Sequence, residues 1–172
     1  MANIIGERCI LRSVEIEDIE YMYRIENDIE NWNISGTTSP FSHYLLSRFV
    51  ESQSRDIYAN RELRLIITTT EGERCGIVDL FEFDPTNLRA GVGIVIDKSF
   101  RERGLASDAL KTLARYCKDV LNLIQLWCGV ASDNIASITL FEHCGYTQCG
   151  VRHKWLRRGE TFIDEIEYQI LL

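Results

Sequence analysis

Apolar residues recur at helical spacing in four stretches of the chain. The clearest stretch, residues 104–120, places one set of side chains on a common face: Leu105, Ala106, Ala109, Leu110, Leu113, Ala114, Cys117 and Val120. The same spacing puts Asp108, Lys111, Arg115 and Lys118 outside. A shorter helix is predicted for residues 134–144, capped by Asp133 and Asn134 and ended by Gly145. Residues 17–29 predict an acidic first helix and residues 41–55 a second, with turn chemistry between them.

Runs of β-branched and aromatic residues predict the strands. They cover residues 8–12, 63–69, 74–83, 88–96, 124–130, 146–156 and 162–170. Residues 63–69, 74–83 and 88–96 form an antiparallel meander, for which we expect a tight register because Asp84-Pro85-Thr86-Asn87 supplies a well-defined turn. The strand after the long helix is expected to lie parallel to the one before it. The pattern predicts an α/β (α+β) fold with a mixed, mostly antiparallel sheet of about seven strands.

Composition narrows the class of protein. The 172 residues are 45% hydrophobic and contain no linker-like tract, which predicts one domain over residues 1–172. Nineteen Lys and Arg against 26 Asp and Glu give a net charge of -7, which argues against nucleic acid and suits a cationic ligand. No segment approaches the roughly 18 apolar residues of a membrane span, so we expect a cytoplasmic protein without a membrane partner.

The cysteines and histidines do not predict a metal site. The six cysteines include no C-x-x-C pair, and the three histidines do not lie at ligand spacing from them. We therefore expect reduced, mostly buried thiols and no metal.

A basic turn at the start of the long helix predicts an anion site. Arg101-Glu102-Arg103-Gly104-Leu105-Ala106-Ser107 follows an apolar strand and opens the helix, so unpaired N–H groups and the positive end of the helix dipole meet there. Two arginines add charge. A phosphate-bearing cofactor is the first interpretation.

The order of elements and two local marks resemble the GNAT acyltransferases. The marks are Arg101-x-x-Gly104-x-Ala106, similar to the acyl-CoA pyrophosphate loop of that family, and Asp133-Asn134-x-Ala136-Ser137 through Phe141-Glu142-x-x-Gly145-Tyr146, similar to its last helix. The resemblance implies a GNAT-like sheet with helices on both faces and acetyl-CoA as cofactor. It implies that residues 101–107 hold the pyrophosphate, and that the strand before them splays so that Ile94, Val95 and Ile96 pair with pantetheine. It also implies that Asn134 and Phe141 lie beside the cofactor.

Residues 76–83 resemble the spermidine/spermine acetyltransferase branch, which carries carboxylates at the positions of Asp79 and Glu82. The acidic N-terminal hairpin, with Glu26, Asp28, Glu30 and Trp32, is similar as well, and Glu26, Trp32 and Asn33 are expected to bind the substrate. Spaced carboxylates and aromatic faces are what a protonated polyamine requires. Most primary amine molecules are protonated at neutral pH, so a base is needed to remove a proton before the amine can attack. Glu82, acting through water, is the predicted base, with Asp79 as the alternative.

The last helix departs from the family pattern at Phe141, where many GNATs have a tyrosine that protonates the leaving thiolate. Ser137 matches a serine in relatives that acetylate ribosomal-protein N-termini and is a candidate substitute; Tyr146 reads as a core residue. Three functions stay open: acetylation of a polyamine such as spermidine, N-terminal protein acetylation, and a non-catalytic acyl-CoA or polyamine-binding module. The sequence also leaves a homo-oligomer open.

Overall fold

A mixed sheet of eight strands forms the centre of the part of the chain that the structure describes. The computed structural model describes residues 4–53 and 56–172, without the side chain of Asn33. The strand order is β1-β2-β3-β4-β5-β6-β8-β7. Their bounds are Ile4–Ile5 (β1), Cys9–Ser13 (β2), Leu63–Thr69 (β3), Arg74–Asp84 (β4), Arg89–Ile96 (β5), Gln125–Ala131 (β6), Thr147–Arg158 (β7) and Thr161–Leu171 (β8). The expected count of about seven strands omits the two-residue β1.

Six α-helices flank the sheet in the described residues. Their bounds are Ile19–Glu26 (α1), Ile29–Ser35 (α2), His43–Ser52 (α3), Ile57–Asn60 (α4), Leu105–Asp119 (α5) and Ile135–His143 (α6), with 3₁₀ turns at Ile16–Asp18 and Lys98–Phe100. None of them is long and apolar enough to cross a membrane.

The acidic N-terminal hairpin differs from the prediction. The expected helix over residues 17–29 is divided, because the Asp28 side chain accepts a hydrogen bond from the Glu30 N–H and caps a new helix, α2. The turn expected from residue 31 is helical as far as Ser35, and Gly36, at φ 72°, ends it. In the second helix, Ser42 caps the N-terminus, so α3 begins at His43; residues 54 and 55 lie outside the described residues.

The sheet confirms the predicted parallel pair. Strands β5 and β6 are parallel and pair from Arg89↔Gln125 to Gly91↔Trp127, whereas the other neighbouring strands are antiparallel. Beyond Gly91 the two strands no longer pair. The expected tight register of the meander is wrong, since bulges interrupt it between Ile67 and Thr68 and between Phe81 and Asp84.

Apolar clusters cover both faces of the sheet. The larger contains Leu110, Leu113, Leu126 and Phe141, and the smaller lies under α1 and α3 with Met22 and Leu46. Most of the predicted α5 face is buried, but Val120 is 59% exposed because the helix has ended there, and Thr112 is buried instead. Five of the six cysteines are buried and all are free thiols.

A buried carboxylate joins the first helical segment to the sheet. Asp18 has no exposed surface, and it accepts hydrogen bonds from Arg12 Nη1 at 2.7 Å and Arg74 Nε at 2.6 Å. It also accepts one from the Glu15 N–H at 2.8 Å. Burial alone raises the pKa of Asp18, but these donors outweigh it and hold the pKa below its usual range.

Candidate active site

The start of α5 presents uncapped backbone donors. Gly104, at φ 75°, is the N-cap residue, and no side chain caps the helix. Glu102 is also left-handed, at φ 62°, so the turn folds sharply just before the helix. The N–H groups of the first turn therefore stay available to an anion, and the helix dipole favours one there.

The arginines of this turn are partly committed to the backbone. Arg101 Nε donates to the Ile96 carbonyl oxygen at 3.1 Å, and Arg103 Nη2 donates to the Ser99 carbonyl oxygen at 2.8 Å. Arg103 also lies over the Phe100 ring, 5.1 Å from its centroid. A guanidinium has five N–H donors, so both can still bind a phosphate.

The gap between β5 and β6 offers backbone groups to a ligand. Asp97 N–H bonds to the Cys75 carbonyl oxygen, and hydrogen-bonded pairs alternate along an antiparallel ladder. Val95 lies opposite Ile77, so its backbone N–H and C=O groups bond to β4. The N–H and C=O groups of Ile94 and Ile96 point toward the gap instead. The predicted pantetheine pairing thus narrows to Ile94 and Ile96, and Val95 does not fit it.

The last helix, α6, begins beside this gap. Asn134 Oδ1 accepts a hydrogen bond from the Ser137 N–H at 3.1 Å, so the carbonyl of Asn134 caps the helix and its amide nitrogen alone is left for a cofactor. Ser137 is half-buried, and its hydroxyl makes no hydrogen bond with the described residues. Phe141 is 4% exposed and packs edge-to-face on Tyr146 with ring centroids 5.0 Å apart.

Tyr146 is a core residue, as the sequence indicates. It is 3% exposed, and burial raises the pKa of its hydroxyl well above the ordinary value. The Tyr146 hydroxyl is enclosed in the core, whereas Ser137 is half-buried, so Ser137 stays the candidate acid.

Two of the hairpin carboxylates are tied to the cofactor side. Lys98 Nζ lies 3.0 Å from Asp28 Oδ2 and 2.9 Å from Glu30 Oε2. The hydrogen bond from Lys98 lowers the pKa of Asp28. Beside them, Arg24 Nη2 lies 2.8 Å from Asp97 Oδ2. These ion pairs hold α1 and α2 against the segment that follows β5. Asp28 and Glu30 therefore have a structural role, as the partners of Lys98.

The predicted acceptor carboxylates Glu26 and Asp79 share an arginine. Arg64 donates to Asp79 through Nε at 2.8 Å and Nη2 at 2.7 Å, and through Nη1 to Glu26. Burial alone lowers the pKa of Arg64, but the two carboxylates outweigh it and raise the pKa. Arg64 also lies 5.1 Å above the Phe49 ring. The structure brings Glu26 and Asp79 together, but around a cation of the protein.

A pocket of about 100 Å³ opens beside this triad. Its lining residues are Phe49, Glu62, Leu63, Arg64, Asp79 and Phe81. The Glu62 carboxylate is exposed and has no hydrogen-bonding or ionic partner among the described residues. Glu26 and Asp79 pair with Arg64, and Glu62 lines the same pocket without a pair, which leaves an excess of negative charge.

Glu82 occupies a strained bulge next to the pocket. Its φ is 47°, which is unusual for a residue with a Cβ, and it lies between the paired positions Phe81↔Gly91 and Asp84↔Arg89. The side chain is exposed and unpaired within the described part of the chain. Phe81 lies over Gly91 so closely that a Cβ there would come 2.3 Å from its ring. A free carboxylate thus follows an aromatic residue of the pocket.

The predicted substrate-binding residues Trp32 and Asn33 both belong to α2. Trp32 Nε1 donates to the Glu26 carbonyl oxygen at 2.7 Å, which closes the corner between α1 and α2. The side chain of Asn33 lies outside the described residues. Substrate contact by either residue stays a prediction.

Sequence reasoning missed Arg64, Glu62 and Phe49. Arg64 lies directly opposite Asp79 on β3, so strand alternation together with the meander register could have identified it. Phe49 and Glu62 carry no comparable signal, because their approach depends on how α3 packs against the sheet. No cluster of three or more His, Cys, Asp or Glu side chains within the described ranges is arranged to hold a metal ion.

Comparison with known proteins defines the class of protein to which this fold and site belong. Residues 8–147 match the family described as the acetyltransferase (GNAT) domain, so the chain belongs to the GNAT acetyltransferases and uses acetyl-CoA. The uncapped start of α5 and the open edge of β5 fit that cofactor.

The most informative relatives are named as spermidine acetyltransferases. The spermidine N(1)-acetyltransferase of Escherichia coli (strain K12) is 26% identical over 154 residues, covering 87% of this chain and 79% of that protein. The spermidine N(1)-acetyltransferase of Vibrio cholerae is 24% identical over 140 residues, covering 81% and 79%. The crystal structure of the V. cholerae spermidine N-acetyltransferase with CoA and spermine superimposes with a TM-score of 0.87 at 21% identity over 95% of each chain. That likeness establishes the shared fold.

Proposed function

We propose that this enzyme transfers the acetyl group of acetyl-CoA to a primary amine of a polyamine of the spermidine class. The proposal treats residues 1–172 as one catalytic domain and the protein as cytoplasmic. The names of the relatives support the substrate class, and the charge of the pocket supports it independently.

The excess negative charge of the pocket carries the proposal. The pocket is lined by the carboxylates of Glu62 and Asp79 and by Arg64, whose charge is shared with Glu26. The pocket volume of about 100 Å³ suits an ammonium group with its neighbouring methylenes. The Phe49 and Phe81 rings add faces on which a cation can rest. A neutral or anionic acceptor would gain nothing from this arrangement.

Glu82 is the proposed base. Its carboxylate is unpaired, unlike those of Glu26 and Asp79, so it is free to accept a proton from the attacking amine through water. Asp79, the alternative base, is held by two hydrogen bonds from Arg64 and serves better as a fixed charge. The amine nitrogen then bonds to the thioester carbonyl carbon, and the carbon–sulfur bond breaks.

The leaving thiolate needs a proton that Phe141 cannot supply. The Ser137 hydroxyl is the proposed proton relay, because it makes no hydrogen bond with the described residues and lies in the first turn of α6. It donates its proton to the sulfur and takes one from water, so that no alkoxide remains. Free thiols have a pKa of about 8.5, so the thiolate requires little assistance. Ser137→Ala should therefore slow turnover less than a change at Glu82.

An acceptor screen tests the proposed function. Thiol release from acetyl-CoA is measured with spermidine, spermine, aminoglycosides, amino acids and peptides with free N-termini. Spermidine-class amines should give the highest kcat/KM. Preference for the peptides would establish N-terminal protein acetylation instead, and CoA binding without turnover on any amine would establish a non-catalytic module.

A matched pair of variants tests the pocket. Glu62→Gln removes an unpaired carboxylate from the pocket and should raise the KM for spermidine by about threefold, the size of one exposed ionic contact. Glu73→Gln removes an exposed carboxylate in the turn before β4 and should leave KM unchanged. Equal KM values for the two variants would remove Glu62 from the acceptor site.

A further inference from the structure

A third arginine, distant in sequence, lies against the start of α5. Arg8 belongs to the turn between β1 and β2 and is exposed. A Cβ added to Gly104 would lie 3.6 Å from Arg8 Cδ, 3.7 Å from Nε and 3.8 Å from Cζ. The Arg8 guanidinium is therefore a close neighbour of the N-cap residue of α5.

The Arg8 guanidinium is also uncommitted. It forms no hydrogen bond or ion pair with any other residue that the structure describes, whereas Arg101 and Arg103 each donate to a backbone carbonyl. Its neighbours at the uncapped helix start are backbone N–H groups, which are donors as well. A concentration of donors without acceptors is the environment that a phosphate group would complete.

Asp108 holds the turn that carries Arg8. The carboxylate accepts hydrogen bonds from the N–H groups of Glu7 at 3.2 Å, Arg8 at 2.8 Å and Cys9 at 3.1 Å. Asp108 lies one helical turn after Gly104, so these bonds clamp the β1–β2 turn onto the first turn of α5. Gly6 is required for the approach, since a Cβ there would lie 2.4 Å from Asp108 Oδ2.

We propose that Arg8 is a third phosphate-binding arginine of the acetyl-CoA site, directed to the pyrophosphate, and that Asp108 is its positioning residue. The inference rests on the proposed function, since it requires that the pyrophosphate lies at the start of α5. It links the first strand of the fold to cofactor affinity, which the resemblance through residues 101–107 does not.

Calorimetric titration of the purified protein with CoA tests the role of Arg8. Arg8→Gln should raise the Kd for CoA by about fivefold, the effect of one solvent-accessible charged contact. Lys118→Gln is the control, because it removes one positive charge from the exposed far end of the same helix. If Arg8→Gln and Lys118→Gln give the same Kd as the wild type, the proposal is overturned while the proposed function stands. If the wild type itself does not bind CoA, the proposed function fails.

Analogues locate the contact. With S-acetylpantetheine, which has no phosphate, Arg8→Gln should turn over as the wild type does; an equal loss would show a structural role instead. With dephospho-CoA, which keeps the pyrophosphate, the fivefold loss should persist. A loss that disappears with dephospho-CoA would overturn the pyrophosphate assignment.

A double-mutant cycle tests the positioning role of Asp108. Asp108→Asn should weaken CoA binding in the same direction, and the Arg8→Gln/Asp108→Asn variant should be no weaker than Arg8→Gln. Additive losses would show that Asp108 acts without Arg8. Thermal unfolding of each variant verifies that it is folded, and Arg8→Lys should recover part of the affinity because it restores the charge without the planar guanidinium.

Discussion

The cofactor side and the acceptor side of the active site treat their charges in opposite ways. On the cofactor side, the start of α5 and the open edge of β5 leave backbone donors unpaired, and Arg8 is free. On the acceptor side, Arg64 holds Glu26 and Asp79, and Glu82 and Glu62 are the unpaired acids. The cofactor side is thus prepared for a dianion, whereas the acceptor side has a fixed framework of ion pairs and two free carboxylates, which are the groups proposed to act on the substrate.

The largest expected effect separates the free acids from the fixed ones. Glu82→Gln should lower kcat by about 10²-fold or more, because general bases contribute about 10²- to 10⁴-fold, and should leave the Kd for CoA unchanged. Steady-state kinetics and a CoA titration measure the two quantities, with Glu73→Gln as the control. Full turnover in Glu82→Gln would assign the proton transfer to another group.

The next effect concerns the fixed framework. Arg64→Met should lower the free energy of unfolding by about 3 kcal/mol, because it leaves Glu26 and Asp79 without their cation in a partly buried site. Urea unfolding measures it, and Arg48→Met, whose ion pair with Glu51 is exposed, should change stability by less than about 1 kcal/mol. Equal losses would mean that Arg64 is dispensable for folding.

A smaller effect tests the backbone of the cofactor side. Gly104→Ala and Gly36→Ala both place a Cβ at a left-handed position, with φ of 75° and 72°, and should each cost about 1 kcal/mol of stability. The Gly104 variant alone should also bind CoA more weakly, since it strains the basic turn of residues 101–107 at the start of α5. A Gly36 variant with the same loss of CoA affinity would deny the turn a specific role.

The smallest effect is a pH dependence on the cofactor side. Burial alone raises the pKa of Asp108, but hydrogen bonds from Arg8, Cys9 and Glu7 outweigh it and lower the pKa. A lowered pKa gives stability that is present above the unfolded value of about 3.9 and is lost as pH falls through the folded value. Urea unfolding from pH 6 to pH 3 should therefore show a shallower loss for Asp108→Asn than for the wild type; parallel curves would contradict the assignment.

Predictions from the sequence succeeded where one pattern determined one element. The sequence predicted the α5 periodicity, the glycine at the start of that helix and the parallel crossover to β6, because each depends on local spacing or on chain connectivity. The ion pairs of Glu26, Asp28 and Glu30 could not be predicted in this way. A carboxylate looks the same in sequence whether it meets a substrate or a lysine such as Lys98, and the choice depends on how α1 and α2 rest on the sheet.

The bulge at Glu82 escaped prediction for a related reason. Nothing near Glu82 marks a left-handed residue, because Glu82 has a Cβ and the glycine of that strand, Gly76, lies six residues before it. The crowding of Phe81 against Gly91 on the neighbouring strand was equally invisible. Both depend on pairing between strands, which local patterns describe poorly.

The short parallel pairing of β5 and β6 has a mechanical consequence. Three residue pairs join these strands, whereas seven join β6 to β8, so the sheet consists of two well-paired halves with a weak seam. A ligand that bonds to both sides of the seam joins the two halves. At a ligand concentration one hundred times its Kd, binding adds about 2.7 kcal/mol to the stability of the folded state. Amide hydrogen exchange should slow most at Ile94 and Ile96 when CoA is added, which makes the seam itself the reporter of cofactor binding.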